Sequence, residues 1–245
     1  MQIEGRRVLI TGASRGLGRT LAFAFADAGA SEVIAGTRKE EDRNNLSTEA
    51  ANIGANIKPV QLDVTSESDI AAVATLGAVD ILINNAGVAG YGNPITMDFT
   101  DIREELEVNY LGTLRMVRAF APAMIEQKQG AIVNIATAFA KVNLPIVGTY
   151  CATKAALLSL GQALRAYLSD QGVVIITVLP TTIDTDMSRG TNVPKMGKEF
   201  VAGEILEAIR LEKHDPPIGD EAQGVLSGLA KDPIGFEKML AQYRA

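Results

Sequence analysis

The chain has 245 residues, of which 47% are hydrophobic and 21% charged, and carries a formal net charge of −6. That length holds one large or two small domains with a substantial apolar core, and the negative balance argues against broad attraction to nucleic acid or to an anionic membrane. A single cysteine, Cys151, excludes internal disulfides and thiolate metal clusters.

The opening "MQIEGRRVLITGAS" combines charged residues with a short apolar run. It reads as a strand and not as a signal peptide. No apolar stretch approaches the roughly 20 residues that span a bilayer, so a cytoplasmic protein without membrane contact is expected. "RVLITGA" leads into a helical "RTLAFAFADAGA", then "SEVIAGTR" and a polar stretch rich in Asn and Glu. "IKPVQLDV" and "VDILINNAG" read as strands on either side of the short helix "ESDIAAVATL". One long helix is predicted over "DIREELEVNYLGTLRMVRAFAPAMIEQ", followed by the strand "GAIVNIATAF", a helix from "GTYCATKAALLSLGQAL" and the strand "VVIITVLPTTI". Several strands are near-continuous Val/Ile/Leu runs, the pattern of strands buried on both faces of a parallel sheet. Strand–helix alternation implies right-handed crossovers and a doubly wound α/β architecture. Beyond Pro180 the pattern weakens into a loop with short helices, an amphipathic "KEFVAGEILEAIRLEK", a short last strand in "DPPIG" and terminal helices. Without a linker or internal repeat, residues 1–245 read as a single domain.

Gly12, Gly16 and Gly18 fall between the first strand and its helix. Glycines there let the backbone approach a phosphate, and the helix N-terminus adds N–H donors and partial positive charge. The spacing departs from G-x-G-x-x-G, and a tight turn without ligand is the alternative. The same loop matches the G-x-S-x-G nucleophile elbow at Ser14, and His214 follows with aspartates between, so a hydrolase is a remote alternative. Against it, "LEKHDPP" reads as a solvated loop. The second strand ends in Thr37 and Arg38 without the acid that selects an unphosphorylated ribose. Arg15 and Arg38 therefore favour NADP(H) over NAD(H), the alternative being two ordinary surface arginines.

Tyr150 and Lys154 stand at i and i+4, on one helix face. Free tyrosine titrates near pH ~10, and an ammonium beside it lowers that value toward useful acid–base chemistry. Alone, the pair equally describes an amphipathic tyrosine with a snorkelling lysine.

"TGASRGLG", "LDVT", "NNAG", "EVNYLGT" and "YCATK", in that order, resemble the single-domain short-chain dehydrogenases/reductases over roughly Val8 to Met187. The resemblance implies a Rossmann-like sheet of about seven strands and NADP(H)-dependent interconversion of a carbonyl and an alcohol by hydride transfer. It implies that Gly12, Ser14, Arg15, Gly16, Leu17 and Gly18 hold the pyrophosphate and adenosine ribose, and that Asp63 and Val64 contact the adenine. Asn85, Ala86 and Gly87 would line the sugar–phosphate chain; Pro180, Thr181, Ile183 and Thr185 would lie near the nicotinamide. Asn109, Thr137, Tyr150 and Lys154 match the catalytic positions. Tyr150 would exchange the proton, Thr137 would hold the same substrate oxygen, Lys154 would bind ribose hydroxyls and Asn109 would support a water between Lys154 and solvent. Two positions depart from the family: Thr137 stands for the usual Ser and Thr181 for the usual Gly.

Tyr91, Leu144, Ile146, Val147, Met187 and Met196 are expected near the hydride, mostly apolar, which favours a hydrophobic ketone, aldehyde or 3-oxoacyl group. The segment 182–197 is expected to close over them. No His/Cys/carboxylate cluster has metal-ligand spacing. Leu157, Leu158, Leu160, Leu164 and Leu168, with Leu111, Leu114, Met116, Val117 and Phe120, spread over more than one helix side, which predicts a homodimer or homotetramer. A nucleotide-binding regulator on the same fold is the main rival to an enzyme.

Overall fold

The computed structural model describes residues 1–244. Its framework is one sheet of seven strands: β1 (Arg7–Ile10), β2 (Glu32–Thr37), β3 (Ile57–Gln61), β4 (Ile81–Asn84), β5 (Gly130–Ile135), β6 (Val173–Pro180) and β7 (Pro217–Ile218). The order is β3-β2-β1-β4-β5-β6-β7 and every pairing is parallel. The expected doubly wound architecture is therefore present. The order reverses between β1 and β4, which opens a crevice at their carboxyl ends.

Helices cover both faces, which is why the strands read as continuous apolar runs. On one face Val8, Ile10, Ile81 and Ile83 pack with α1 (Gly16–Asp27) and α7 (Lys198–Arg210). On the other, Leu9, Ile34, Leu82 and Ile132 pack with α3 (Glu67–Ala74) and α5 (Thr113–Gln127). Successive residues of one strand serve opposite cores.

Three elements differ from the sequence reading. The polar Asn/Glu stretch is a helix, α2 (Glu40–Asn52), with only Leu46 and Ala50 buried. Its amphipathicity is weak, but Glu40, Glu41 and Asp42 in its first turn oppose the helix dipole favourably. The single long helix is in fact three pieces: α4 (Phe99–Leu106), a π-helical stretch (Glu107–Gly112) and α5, which runs on through Pro122. The sequence ending in "TAF" leaves β5 at Ile135 and enters short 3₁₀ turns before α6 (Gly148–Leu168). After β7 the chain closes with α8 (Gly219–Lys231) and α9 (Pro233–Leu240).

The helix argument for assembly changes. Leu157, Leu158, Leu168, Met116, Val117 and Phe120 are all buried within the chain's own cores. The other four residues of that set, Leu111, Leu114, Leu160 and Leu164, are half-buried. Exposed apolar residues include Ile95, Phe99, Leu106 and Tyr167.

Candidate active site

Parallel strands buried on both faces leave only their ends free to carry polar chemistry. Loops leaving the carboxyl ends of β1 to β6 line a crevice of about 960 Å³. Arg15, in extended conformation, precedes α1; no side chain caps that helix and no acid stands in its first turn. Its first residues, Gly16, Leu17 and Gly18, line the crevice with Gly12 and Ser14.

The glycine loop is pinned to the end of β4 from below. Asn85 Nδ2 donates to Thr11 O at 2.9 Å and to Gly12 O at 3.0 Å. The buried Thr11 Oγ1 accepts the N–H groups of Asn85 at 3.0 Å and Ala86 at 2.9 Å. Thr11 was not singled out from the sequence, where it reads as one more β-branched strand residue.

Thr37, Arg38, Asp63 and Val64 meet at one end of the crevice. Asp63 Oδ1 accepts from Thr65 N at 2.9 Å and Thr65 Oγ1 at 2.7 Å, a local turn that fixes its orientation. Lys39 and Asp42, also missed in the sequence, line the same end. Arg15 reaches Asp186 at 3.6 Å across the crevice, and Arg189 pairs with the same carboxylate. With Lys154, the lining is richer in cations than in acids, which suits a polyanionic ligand.

At the other end, Tyr150 and Lys154 open α6. Lys154 Nζ lies 5.6 Å from the centroid of the Tyr150 ring and donates to Ile135 O at 2.8 Å. A Cβ on Gly87 would sit 3.2 Å from Asn109 Oδ1 and 3.5 Å from Lys154 Nζ, so the three residues converge. Asn109 lies in the π-helical stretch, a distortion frequent at functional sites. Its Oδ1 accepts from Val88 N at 2.9 Å; its Nδ2 donates to Val88 O and to Thr153 Oγ1, each at 2.9 Å. Both amide atoms thus hold protein groups. Thr137 also lines the crevice; its hydroxyl donates to Pro180 O at 3.0 Å and accepts from Phe139 N at 3.3 Å. Thr181 Oγ1 donates to Glu221 Oε2 at 2.8 Å and ties the segment after β6 to α8.

The electrostatics reverse the sequence expectation. Burial raises the Tyr150 phenol well above the ordinary tyrosine value, and the charges of Cys151, Tyr91 and Glu105 push the same way. Burial also lowers the Lys154 ammonium to about 8. Desolvation leads both shifts, because both groups sit in low dielectric. One consequence is thermodynamic. The unfolded chain binds the lysine proton up to its ordinary pKa of ~10.4, the folded chain only to about 8. Below about 8 this burden is present in full, on the order of 3 kcal/mol; it is relieved as pH rises toward 10. Lys154→Met is therefore expected to melt higher than the wild type at pH 7, with the gap narrowing as pH rises from 8 to 10. Thermal melts across that range check it; a constant gap would contradict it.

Tyr91, Leu144, Ile146, Val147 and Met187 all line this end, together with Pro180, Ile183 and Thr185. Tyr91 donates its hydroxyl to Met187 O at 3.0 Å, bridging the two sides. Met196 does not line the crevice; it pairs with Ile183 at the base of the 182–197 segment. Phe139 and Tyr243 line it and were missed. Tyr243 had no local signal, since α9 reaches the site only by packing Leu240 against Ala138 and Val142.

Ser14 and His214 do not meet. Ser14 lies in the crevice, whereas His214 borders a separate cleft with Glu204 and Glu207. Its ring stands 3.3 Å from Ile175 O, near the start of β6, the opposite end of that strand from the site. The hydrolase arrangement is absent. Among the described residues no group of three or more His, Cys, Asp or Glu is placed to hold a metal ion. No helix of the described residues is long and apolar enough to cross a membrane.

A family model of short chain dehydrogenases matches residues 6–195. The short chain dehydrogenase pigC of Monascus ruber is 35% identical over 201 residues, 77% of this chain and 66% of that protein. The 3-oxoacyl-[acyl-carrier-protein] reductase FabG of Thermotoga maritima is 30% identical over 241 residues, 96% of this chain and 94% of that one. Several curated relatives are longer, and the matched stretch spans 44% to 66% of four of them. A short chain dehydrogenase from Burkholderia cenocepacia, solved in complex with NADP, superposes with a TM-score of 0.90 at 37% identity, covering 98% of this chain and 99% of that one.

Proposed function

This chain belongs to the short-chain dehydrogenase/reductase family, and we propose that it is an NADP(H)-dependent oxidoreductase interconverting an alcohol with an apolar ketone, aldehyde or 3-oxoacyl group. One observation carries the reading: a single crevice joins the glycine loop and the Arg15/Arg38 end to the Tyr150–Lys154 pair. We take residues 1–245 as one domain, cytoplasmic, with 182–197 covering the substrate.

The residues fit the cofactor. Gly12, Ser14, Gly16, Leu17 and Gly18 would hold the pyrophosphate, Arg15, Thr37 and Arg38 the ribose phosphate, and Asp63 and Val64 the adenine. Asn85, Ala86, Gly87, Pro180, Thr181, Ile183 and Thr185 would hold the remainder. The Burkholderia neighbour's NADP and the Thermotoga relative's 3-oxoacyl activity support the cofactor and the substrate class.

When bound, NADPH supplies the hydride. Tyr150 donates its proton to the carbonyl oxygen, and in the oxidative direction takes the alcohol proton back. Burial keeps the phenol protonated until it is needed. Lys154, 5.6 Å from the ring, favours the phenolate that the transfer leaves. Asn109 positions this end by gripping Val88 and Thr153. Thr137 reaches the substrate oxygen only by releasing Pro180 O.

That committed hydroxyl favours a second reading, a regulator that binds the nucleotide without turnover. NADPH oxidation against a panel of carbonyls decides. Oxidation of any member supports the enzyme; tight NADPH binding without oxidation supports the regulator.

Arg38→Ala is expected to weaken NADPH by roughly tenfold to a hundredfold, the worth of charge-assisted hydrogen bonds, and NADH by about twofold at most. Fluorescence titration of both nucleotides checks this, and equal losses would remove the 2′-phosphate assignment. The exposed Ile95, Phe99, Leu106 and Tyr167 support a homodimer or homotetramer.

A further inference from the structure

One buried charge close to this centre has no part in the chemistry above. Glu105, in the last turn of α4, is 2% exposed. Its Oε1 accepts the Gly90 N–H at 2.6 Å, while its buried Oε2 has no partner among the described residues. A buried, half-satisfied carboxylate costs several kcal/mol, and an apolar side chain of similar volume would avoid that. The position therefore asks for a function.

Glu105 stands one helical turn before Asn109, on the same face. The two grip the segment after β4 at alternate residues, Asn109 at Val88 and Glu105 at Gly90. A Cβ on Gly90 would lie 3.3 Å from Glu105 Oε1 and 2.5 Å from Cε at the flexible end of Met97, so the carboxylate stands close against this backbone. The next residue is Tyr91, which spans the crevice to Met187 O. On the other side α4 packs against α6, which carries Tyr150.

We propose, on the reading of the previous subsection, that Glu105 is a positioning residue: it fixes the Gly90–Tyr91 wall of the substrate crevice and sets the field at the Tyr150 hydroxyl. The titratable groups acting on that phenol are Lys154 and Cys151 from its own helix, Tyr91 from the wall and Glu105 from α4. Of these, Lys154 alone is a cation; Glu105 opposes it and resists loss of the proton.

Two variants separate the roles. Glu105→Gln keeps an acceptor for the Gly90 N–H and removes the charge; Glu105→Leu removes both. With Glu105→Gln, KM for the carbonyl should stay within about twofold, while the alkaline limb of kcat/KM against pH moves down by roughly half a pH unit or more. With Glu105→Leu, KM should rise about fivefold, the value of one hydrogen bond. Its Gly90–Tyr91 amides should also exchange faster with deuterium. Glu105→Gln should not melt below the wild type, since it removes the buried charge and keeps the acceptor; a purely structural role would leave the pH limb where it is. An unmoved limb in Glu105→Gln overturns the field, and unchanged exchange in Glu105→Leu overturns the wall. A wild type that reduces no carbonyl would refute the proposed activity instead, and deuterium exchange would still decide the wall.

Discussion

Tyr150→Phe is expected to lower carbonyl reduction by roughly 10²–10⁴-fold, the range that a positioned acid–base group supplies, with NADPH binding unchanged. Phenylalanine keeps the ring at the start of α6 and the contact with Lys154, whose Nζ lies 5.6 Å from its centroid. The change removes only the transferable proton. Because burial holds the phenol above its ordinary value, the wild type should keep its acid form over a wide pH range, and reduction should fall only as pH climbs. Oxidation needs the opposite form and should improve in the same direction. Steady-state rates with NADPH, set beside NADPH titration of the same variant, check the prediction. A Tyr150→Phe enzyme within about tenfold of the wild type would leave this phenol outside the proton transfer.

Gly18→Ala is expected to abolish tight NADPH binding and to destabilise the fold. A Cβ at that position would lie 2.3 Å from Gly12 O and 2.4 Å from Asn85 Nδ2. These two atoms are already joined at 3.0 Å by the bond that pins the glycine loop to the end of β4. Neither is the far end of a flexible chain: one is backbone and the other is held twice. The methyl therefore separates the loop from its support and moves the first turn of α1, whose residues line the crevice. Overpacking of this kind costs about 1–3 kcal/mol, or roughly 2–10 °C in melting temperature for a chain of this size. The loss of binding should exceed tenfold, since the phosphate-facing geometry itself shifts. Gly203→Ala in α7 is the control: a Cβ there meets nothing within 4 Å, and alanine favours a helix interior. Calorimetric titration and melting of both variants test this. NADPH affinity in Gly18→Ala close to that of the wild type would mean that the loop is not the phosphate cradle.

The amino-acid order alone determined the fold class. Burial on both faces removes alternation from β1, β4, β5 and β6, and that signature is local, so it survives in a bare sequence. The glycine loop and the Tyr150–Lys154 spacing were legible for the same reason: each needs only neighbours within a few positions. The weakly amphipathic α2 was not, because two buried anchors among thirteen residues leave almost no period. The uses of the side chains were decided only by the tertiary structure. Pro180 for Thr137, Glu221 for Thr181, and Val88 and Thr153 for Asn109 lie from 21 to 44 residues away, so nothing nearby in the chain announces these bonds. The sign of the Tyr150 shift was decided there too: i,i+4 spacing places a cation beside the phenol, but how far each is removed from water depends on every element packed around them. Proximity along a helix is a property of the chain; desolvation belongs to the folded whole.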